Sequence, residues 1–311
     1  MRALVTGCLG FVGRHLTSRL VERGASVYGL DRRPGSAPHC VRMFPADLGD
    51  REALLTALRE AAPDFVFHLA GLTASGGPPE AILEANAVGT LRLLEVLAAH
   101  PGCARVVVAG SSAQYGRLPE HWAVVTEDAP FHPAGVYGWS KVAAEALALS
   151  FSGRAGLEVV AGRAFNHVGP GEPDALVCSA LARGVAAVEA GSESAVRVGD
   201  LTTVRDFCDV RDIASGYLAL AERGVPGRAY NLCSGRGTRV SEVLESLLRM
   251  TDQEIEVRSD PTAGGGIRSQ VGSAERALRE TGWKPEIPLE QSLADLLNEW
   301  RERFRHGGSA R

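Results

Sequence analysis

The chain has 311 residues, 45% of them hydrophobic, and a net charge of −4 at neutral pH. This length and hydrophobic content allow one large domain or two coupled domains, and the charge gives no reason to expect nucleic acid or a membrane as a partner. The six cysteines include no C-x-x-C pair, which favours reduced thiols over a disulfide framework or a metal site. Met1 leads straight into an apolar run, and no run approaches the ~20 residues of a membrane span. We therefore expect a cytoplasmic protein without a signal peptide.

The first half of the sequence alternates short apolar runs with amphipathic stretches. Strands are predicted at 1–6, 25–30, 64–70, 105–109 and 157–163, and helices at 14–22, 50–61, 80–99 and 137–150. This alternation is typical of a parallel sheet with helices on both faces. We therefore predict an α/β fold with a doubly wound parallel sheet of the Rossmann type.

After Arg163 the pattern changes. A loop is predicted at 166–174, short strands at 196–198, 230–233 and 255–257, and helices at 175–190, 212–222, 240–250, 273–280 and 289–303. We predict a dinucleotide-binding domain over 1–165, to which parts of about 205–235 return. A smaller α/β substrate-binding domain, over 166–204 and 236–303, would cover the carboxyl ends of the strands. A tail over 304–311 follows, with 307–311 disordered.

Three glycines near the start indicate a cofactor site. Gly7, Gly10 and Gly13 lie between a predicted strand and a predicted helix, a context that suits a dinucleotide pyrophosphate at the helix N-terminus. Asp31 ends the second strand about 20 residues later, where an acid binds the ribose hydroxyls of NAD. Arg32 and Arg33 follow it and could attract the 2′-phosphate of NADP, or simply form a solvated turn. NAD and NADP both stay open, with Asp31 favouring NAD slightly.

Tyr137 and Lys141 are four residues apart and therefore share one helical face. A phenol with a pKa of about 10 transfers protons poorly at neutral pH, but a neighbouring ammonium and a positive nicotinamide favour the phenolate. We predict that Tyr137 is the proton donor and acceptor and that Lys141 supports it and holds ribose hydroxyls. Such a pair by itself is typical of a solvated helix face, and the glycine turn is what favours an active site.

Several further motifs resemble the extended short-chain dehydrogenases/reductases, the family of sugar-nucleotide epimerases, dehydratases and reductases. The resemblance extends from residue 1 to about 301. It is carried by G-x-x-G-x-x-G at 7–13, Asp47-Leu48, His68-Leu69-Ala70, N-A-V-G-T at 86–90, S-S-A-Q-Y-G at 111–116 and Y-x-x-x-K at 137–141. It implies homodimers formed through the helices 80–99 and 137–150, where Leu91, Leu94, Val96 and Leu97 supply apolar surface or face the sheet.

The resemblance also assigns roles to residues. Ser111 matches the catalytic hydroxyl that stabilises charge on the substrate oxygen. Asp47 would hold the adenine, Leu69 and Ala70 would lie beside the pyrophosphate and ribose, and Asn86 would pack near Lys141. The complete predicted cofactor set is Gly7, Gly10, Phe11, Val12, Gly13, Asp31, Arg32, Asp47, Leu48, Leu69, Ala70, Gly71, Asn86, Tyr137, Lys141 and Ala164.

One branch of the family is especially similar. The stretches 165–171, 198–201, 205–212, 230–235 and 281–285 resemble GDP-4-keto-6-deoxy-D-mannose reductases. That branch usually has Thr where Val168 stands, Gln where Glu172 stands, and an Arg-Pro-x-Asp motif where this chain has G-G-G-I-R-S at 264–269. These departures leave the nucleotide base and the sugar open.

Predicted substrate contacts are Ser111, Ser112, Tyr137, Asn166, Arg205 and Arg268. Asn166 binds sugar or phosphate oxygens or caps its own loop. Arg205 pairs with a diphosphate or forms a salt bridge, for example to Asp206 or Asp209. His167 contacts the nicotinamide or sugar, or is a hydrogen-bonded structural residue.

Three functions are compatible with these residues. The first is NAD(P)-dependent reduction of the C4 ketone of a GDP-4-keto-6-deoxyhexose to a GDP-6-deoxyhexose. The second is NAD-dependent 4-epimerisation of a UDP- or GDP-sugar through a transient ketone. The third is a non-catalytic nucleotide-sensing protein, against which the complete set of Ser111, Tyr137 and Lys141 argues. Dehydratase activity is disfavoured because related dehydratases carry a Glu at the position of Ala113, and losing that base would forfeit about 10²- to 10⁴-fold in rate.

Overall fold

The computed structural model describes residues 1–35, 37–100, 102, 105–119, 123–259 and 267–307. Strands are numbered along these residues. They are β1 Arg2–Thr6, β2 Ser26–Asp31, β3 Arg42–Pro45, β4 Phe65–His68, β5 Arg105–Ser111, β6 Glu158–Ala164, β7 Asn166–Val168, β8 Val196–Val198, β9 Val204–Asp209, β10 Ala229–Leu232, β11 Gly237–Arg239, β12 Val257–Ser259 and β13 Ser269–Gln270.

The helices cover both faces of the main sheet and build the smaller second layer. They are α1 Phe11–Glu22, α2 Arg51–Ala61, α3 Pro79–Leu83, α4 Gly89–Ala99, α5 Val136–Ser150, α6 Val177–Glu189, α7 Val210–Arg223, α8 Val240–Leu248, α9 Glu275–Thr281 and α10 Leu289–Arg305. The predicted helix 80–99 is continuous, but a π-turn at Glu84–Val88 joins α3 to α4. Such π-turns often occur at functional sites.

Seven strands form one parallel sheet in the order β3-β2-β1-β4-β5-β6-β10. The order reverses direction between β1 and β4, and ligands of open α/β sheets bind at such a switch point, outside the carboxyl ends of the strands. The predicted doubly wound α/β fold is confirmed. One apolar cluster lies between the sheet and α1 and α7, and another between the sheet and α2 and α4.

A third apolar cluster lies away from the main sheet. It combines α6, α8 and α10 with β7, β8 and β9, and its largest buried side chain is Trp300. Small strands accompany it: β9 pairs with β7, β11 and β13, and β8 pairs with β12. The division of the chain into cofactor and substrate domains stays a prediction.

Several short elements differ from the sequence-based expectations. The predicted loop 166–174 begins with β7, and β3, β9, β11 and β13 were not predicted. The strands β3, β11 and β13 are too short to carry a period, and half of the residues of β9 are charged, which hides its strand pattern. The strand predicted at 255–257 is β12, two residues later. Helix α10 continues to Arg305, so the tail begins later than predicted. The glycine run 264–266 and residues 308–311 of the tail lie outside the described residues.

Two surface properties follow from the packing. Leu94, Val96 and Leu97 are buried against the sheet, and the partly buried Leu91 packs against the same cluster. These side chains therefore face the sheet and do not supply the apolar partner surface considered above.

Within the described parts of the chain, no helix combines the length and the apolar character that crossing a bilayer requires.

Candidate active site

The glycine turn after β1 is closed by direct backbone contacts. Gly7 has a φ of +71°, and a Cβ there would lie 2.8 Å from the Ala70 nitrogen. A Cβ on Gly13 would overlap the Gly7 oxygen and lie 2.8 Å from the Cys8 Cα. Gly10 precedes α1 and has no side chain to cap the first helical N–H groups. These groups are therefore available to an anion, as a dinucleotide pyrophosphate site requires.

Replacing Gly13 by alanine is expected to abolish detectable NAD(P)H binding, because the new methyl group would force α1 away from the turn. Gly135→Ala is the matched control, since a Cβ at Gly135 meets nothing within 4 Å and its φ of −168° suits any residue. Fluorescence titration with NADH and NADPH measures the effect. Equal affinity of the two variants would show that the turn tolerates a side chain.

A cleft of about 450 Å³ opens beside this turn at the carboxyl ends of β1, β2 and β4. The cleft lining includes these predicted cofactor residues: Gly7, Gly10, Asp31, Arg32, Asp47, Leu48, Leu69, Ala70 and Gly71. Phe11, Val12 and Gly13 form the first turn of α1. Ala164 ends β6 directly beside Ser111 at the end of β5. The close turn, and a cleft whose lining extends from that turn to Asp31 and Asp47, fit a dinucleotide.

Asp31 is held by the turn and by its own neighbour. Its carboxylate accepts hydrogen bonds from the Leu9 nitrogen at 3.1 Å and from Arg33 Nε at 3.2 Å. Burial raises the pKa of Asp31, but the hydrogen bonds from Arg33 and Leu9 outweigh it and hold the pKa below its usual value. Arg33 thus offsets the acid's charge, while Arg32 is exposed at the cleft. This arrangement accommodates the 2′-hydroxyl of NAD or the 2′-phosphate of NADP.

Ser111 and Tyr137 face each other across the end of the sheet. Ser111 ends β5, and Tyr137 lies in the first turn of α5. Burial raises the pKa of Tyr137, and a hydrogen-bonding interaction with Ser111 lowers it only in part. The phenol is therefore protonated at neutral pH. The lowering expected from the ammonium together with a positive nicotinamide stays a prediction for the cofactor-bound site.

Lys141 is fixed one turn further along α5. Its Nζ donates to the Ala109 oxygen at 2.5 Å. Burial lowers its pKa to about 8, and the carboxylate of Glu145 offsets part of that effect. The ammonium form of Lys141 therefore predominates at neutral pH and loses its proton as the pH rises through about 8.

This pKa predicts an alkaline limit on activity. If catalysis needs the Lys141 ammonium, kcat should fall as pH rises through about 8, because Lys141 loses its proton there. The pKa of Tyr137 is higher, so the fall would report Lys141 and not the phenol. Rates measured from pH 6 to 10 at saturating cofactor and substrate test this, with intrinsic tryptophan fluorescence as the control for folding. A rate that stays level to pH 10 would rule out a requirement for this ammonium.

Asn86 joins α5 to the cofactor cleft. It lies in the π-turn, where its Oδ1 accepts from the Leu72 nitrogen at 2.7 Å and its Nδ2 donates to the Leu72 oxygen at 2.9 Å. The same Nδ2 donates to Ser140 Oγ at 2.8 Å. Asn86 therefore fixes the residue before Lys141 to the segment that follows β4.

A buried polar network below Ser111 was missed by the sequence analysis. The Ser111 nitrogen donates to Gln114 Oε1 at 2.7 Å, and Gln114 Nε2 donates to Glu145 Oε2 at 2.9 Å. Glu145 accepts two-pronged bonds from Arg163, whose Nη1 also donates to the Tyr115 hydroxyl at 2.7 Å. Glu145 follows Lys141 by one helical turn, and that spacing is the signal that could have revealed it.

The predicted substrate residues lie on several elements. Asn166 Nδ2 is buried without a hydrogen-bond partner among the described residues, so this group does not cap its loop. Arg205 lies on β9, and Arg268 directly precedes β13, which pairs with β9. Hydrogen bonds from Thr202 lower the pKa of Asp200, and the charges of both arginines lower it further. Asp206 and Asp209 bond instead to backbone and side-chain groups of Ser234, Gly235, Gly272, Arg211 and Ser292. Among the described residues, Arg205 therefore has no salt bridge to Asp206 or Asp209, and its Nη1 donates to the Val204 oxygen at 2.8 Å.

Two other candidates are held by internal contacts. The backbone oxygen of the buried Ser112 accepts from Gln270 Nε2 at 3.0 Å. The His167 ring stacks on Phe11, with centroids 5.5 Å apart, and its Nδ1 lies 3.0 Å from the Phe165 oxygen. Burial lowers the pKa of His167, so the ring is neutral at pH 7. His167 thus has the hydrogen-bonded surroundings of a structural residue next to the first turn of α1.

The NAD dependent epimerase/dehydratase family matches residues 3–233. The chain belongs to this family. It is similar to the GDP-6-deoxy-D-mannose reductase of Pseudomonas aeruginosa, with 36% identity over 98% of both chains. The solved structure of RMD from Pseudomonas aeruginosa complexed with NADPH has a TM-score of 0.86 and 34% identity, covering 97% of this chain and 100% of that one.

A second relative in the epimerase/dehydratase family catalyses a different reaction. The UDP-glucose 4-epimerase of Thermus thermophilus, solved as a complex with NAD, has a TM-score of 0.85 and 29% identity, covering 97% of this chain and 99% of that one. The named relatives are enzymes, and their complexes contain NADPH or NAD. Because the two TM-scores are almost equal, the backbone does not separate reductase from epimerase.

Proposed function

We propose that this protein reduces the C4 ketone of a GDP-4-keto-6-deoxyhexose with NADH or NADPH, giving a GDP-6-deoxyhexose. The observation that supports the proposal is that Ser111 ends β5 while Tyr137 and Lys141 lie at the start of α5, which Asn86 connects through Ser140 to Leu72 in the lining of the cofactor cleft. The similarity to a GDP-6-deoxy-D-mannose reductase over 98% of both chains supports this substrate class.

The residues present account for the proton in this reaction. When bound, the reduced nicotinamide supplies the hydride. The Ser111 hydroxyl donates a hydrogen bond to the ketone oxygen, and the protonated Tyr137 phenol gives its proton to that oxygen. The Lys141 ammonium stabilises the phenolate that remains. Asn166, whose Nδ2 has no hydrogen-bond partner among the described residues, would donate that group to a sugar or phosphate oxygen.

The alternative is 4-epimerisation of a UDP- or GDP-sugar, which uses the same three side chains. The similarity to the UDP-glucose 4-epimerase of Thermus thermophilus keeps this reaction a candidate, although the backbone match fits the reductase equally well. A dehydratase is disfavoured because Ala113 has no group that removes a ring proton. The third hypothesis, a non-catalytic nucleotide sensor, predicts binding without turnover.

Absorbance at 340 nm separates these functions. Purified protein is mixed with NADH or NADPH and GDP-4-keto-6-deoxymannose, and in separate reactions with NAD+ and GDP-mannose or UDP-glucose. Stoichiometric loss of reduced cofactor with the keto sugar supports the reductase. An epimer found by chromatography without net loss of cofactor supports the epimerase. Binding without conversion of any sugar would overturn the enzymatic proposal and favour the sensor.

Arg32 should influence cofactor choice. It is exposed at the cleft beside Asp31, so we expect Arg32→Ala to weaken NADPH by roughly tenfold, the size of one charge-assisted hydrogen bond, and NADH much less. Titration of both cofactors measures the ratio of affinities. Arg14→Ala, an exposed residue of α1, is the control for a general change of charge. An unchanged ratio in Arg32→Ala would exclude contact with the 2′-position.

The cellular location and the oligomeric state of the protein are also proposals. We infer a cytoplasmic location from the sequence, and a homodimer through α3, α4 and α5 from the family resemblance. The exposed Leu83 and Trp139 lie on α3 and α5. Light scattering at micromolar concentration tests the dimer directly.

A further inference from the structure

Two cysteines from separate segments meet above the same glycine. A Cβ on Gly29 would lie 2.7 Å from Cys8 Sγ and 3.1 Å from Cys40 Sγ, which places the two sulfurs within about 6 Å of each other. The Cys8 thiol also donates to Met43 Sδ at 3.4 Å. The missing side chain of Gly29 thus leaves room for a cluster of three sulfur atoms.

The topology explains the meeting. Cys8 follows β1 by two residues and Cys40 precedes β3 by two, and Gly29 lies on β2, which pairs with both strands. Cys8 belongs to the glycine turn, while Cys40 ends the segment that follows Arg32 and Arg33. The thiol pair therefore lies between the glycine turn and the segment that follows Arg33, and Gly7, Arg32 and Arg33 at the start of these two segments line the cofactor cleft.

The two thiols differ in accessibility and acidity. Cys8 is completely buried, whereas Cys40 is partly exposed. The hydrogen-bonding interaction between the thiols lowers the pKa of Cys40, and the same interaction together with burial raises the pKa of Cys8. Cys40 is thus the more acidic thiol and the one that an oxidant can reach, and Cys8 is its buried neighbour.

We propose that Cys8 and Cys40 are an oxidisable dithiol that closes to a disulfide when a peroxide reacts with Cys40. The Cys40 thiolate attacks one peroxide oxygen and the O–O bond breaks, giving a sulfenic acid and hydroxide. The Cys8 sulfur then attacks the Cys40 sulfur. The S–S bond forms, and the S–O bond breaks as hydroxide leaves with the Cys8 proton as water. The two thiols lose two electrons, and the peroxide is reduced.

Closure has a consequence for the cleft. A disulfide requires Cα atoms about 4.4–6.8 Å apart and a defined torsion, so it fixes the segment after Arg33 against the glycine turn. We expect the oxidised protein to bind NAD(P)H at least threefold more weakly, and a thiol reductant to restore binding. This consequence rests on the proposed cofactor site, whereas formation of the disulfide does not.

Peptide mapping tests the bond independently of turnover. The reduced protein is treated with a small excess of hydrogen peroxide, alkylated, digested and analysed by mass spectrometry. We expect a Cys8–Cys40 linked peptide that dithiothreitol removes. In Cys8→Ser, dimedone should trap a sulfenic acid at Cys40. The control Cys178→Ala, at a buried position on α6, should still form the link.

Other outcomes overturn the proposal. They are an unreacted Cys40, a Cys40 oxidised beyond sulfenic acid while Cys8 stays a free thiol, or a Cys40 joined to another cysteine. A linked protein with unchanged NAD(P)H affinity would overturn the effect on the cleft. Because mapping needs no substrate, the disulfide can fail while the reductase assay succeeds, and the reverse.

Discussion

Replacing Tyr137 by phenylalanine is expected to lower kcat for ketone reduction by about 10²- to 10⁴-fold, the usual contribution of a positioned general acid. The phenol is the group that faces Ser111, and burial keeps it protonated at neutral pH. Removing its oxygen takes away the proposed general acid but leaves the Ser111 hydroxyl and the aromatic ring at position 137 in place. The affinity for NAD(P)H should therefore change by less than about threefold, well under one charge-assisted hydrogen bond.

Tyr28→Phe is the matched control, because Tyr28 lies on β2 with its ring under the Arg2 guanidinium and is not among the predicted site residues. Steady-state rates and cofactor titrations on both variants give the comparison. A Tyr137→Phe enzyme with the kcat of the parent on every substrate would exclude Tyr137 as the proton donor.

Replacing Arg163 by methionine should lower the free energy of unfolding by about 3–5 kcal/mol, because it leaves the Glu145 carboxylate buried without its partner. The two side chains are only 7% and 4% exposed. Urea unfolding measures the loss. The double variant Glu145→Gln with Arg163→Met should recover part of it, since the unpaired charge is then gone.

The same network should affect catalysis through position alone. Gln114 holds the Ser111 nitrogen and is itself held by Glu145, so Arg163→Met should lower kcat more than it raises KM. Arg19→Met breaks an exposed ion pair with Glu22 and should leave both stability and kcat nearly unchanged. A urea-unfolding midpoint of Arg163→Met equal to that of the parent would show that the Glu145–Arg163 pair does not stabilise the fold.

The sequence alone was sufficient for the features that depend on local periodicity and short motifs. The alternation of apolar runs and amphipathic stretches predicted the parallel sheet, because each strand and helix is defined by neighbouring residues. The glycine spacing at 7–13 predicted the close turn, since only glycine avoids the clashes at Gly7 and Gly13. Tyr137 and Lys141 were predicted on one helical face for the same reason, and α5 places them there.

Tertiary structure decided which side chains meet across distant segments. Arg33, and not Arg32, binds Asp31, and Arg205 lies beside Arg268 because β9 pairs with β13. Burial, which no local pattern states, raises the pKa of Tyr137 and lowers that of Lys141. The Glu145–Arg163 pair and the meeting of Cys8 with Cys40 over Gly29 depend on packing between strands that are far apart in the chain. A sequence pattern specifies each strand and its faces, but the contacts between side chains form only when the sheet brings those strands together.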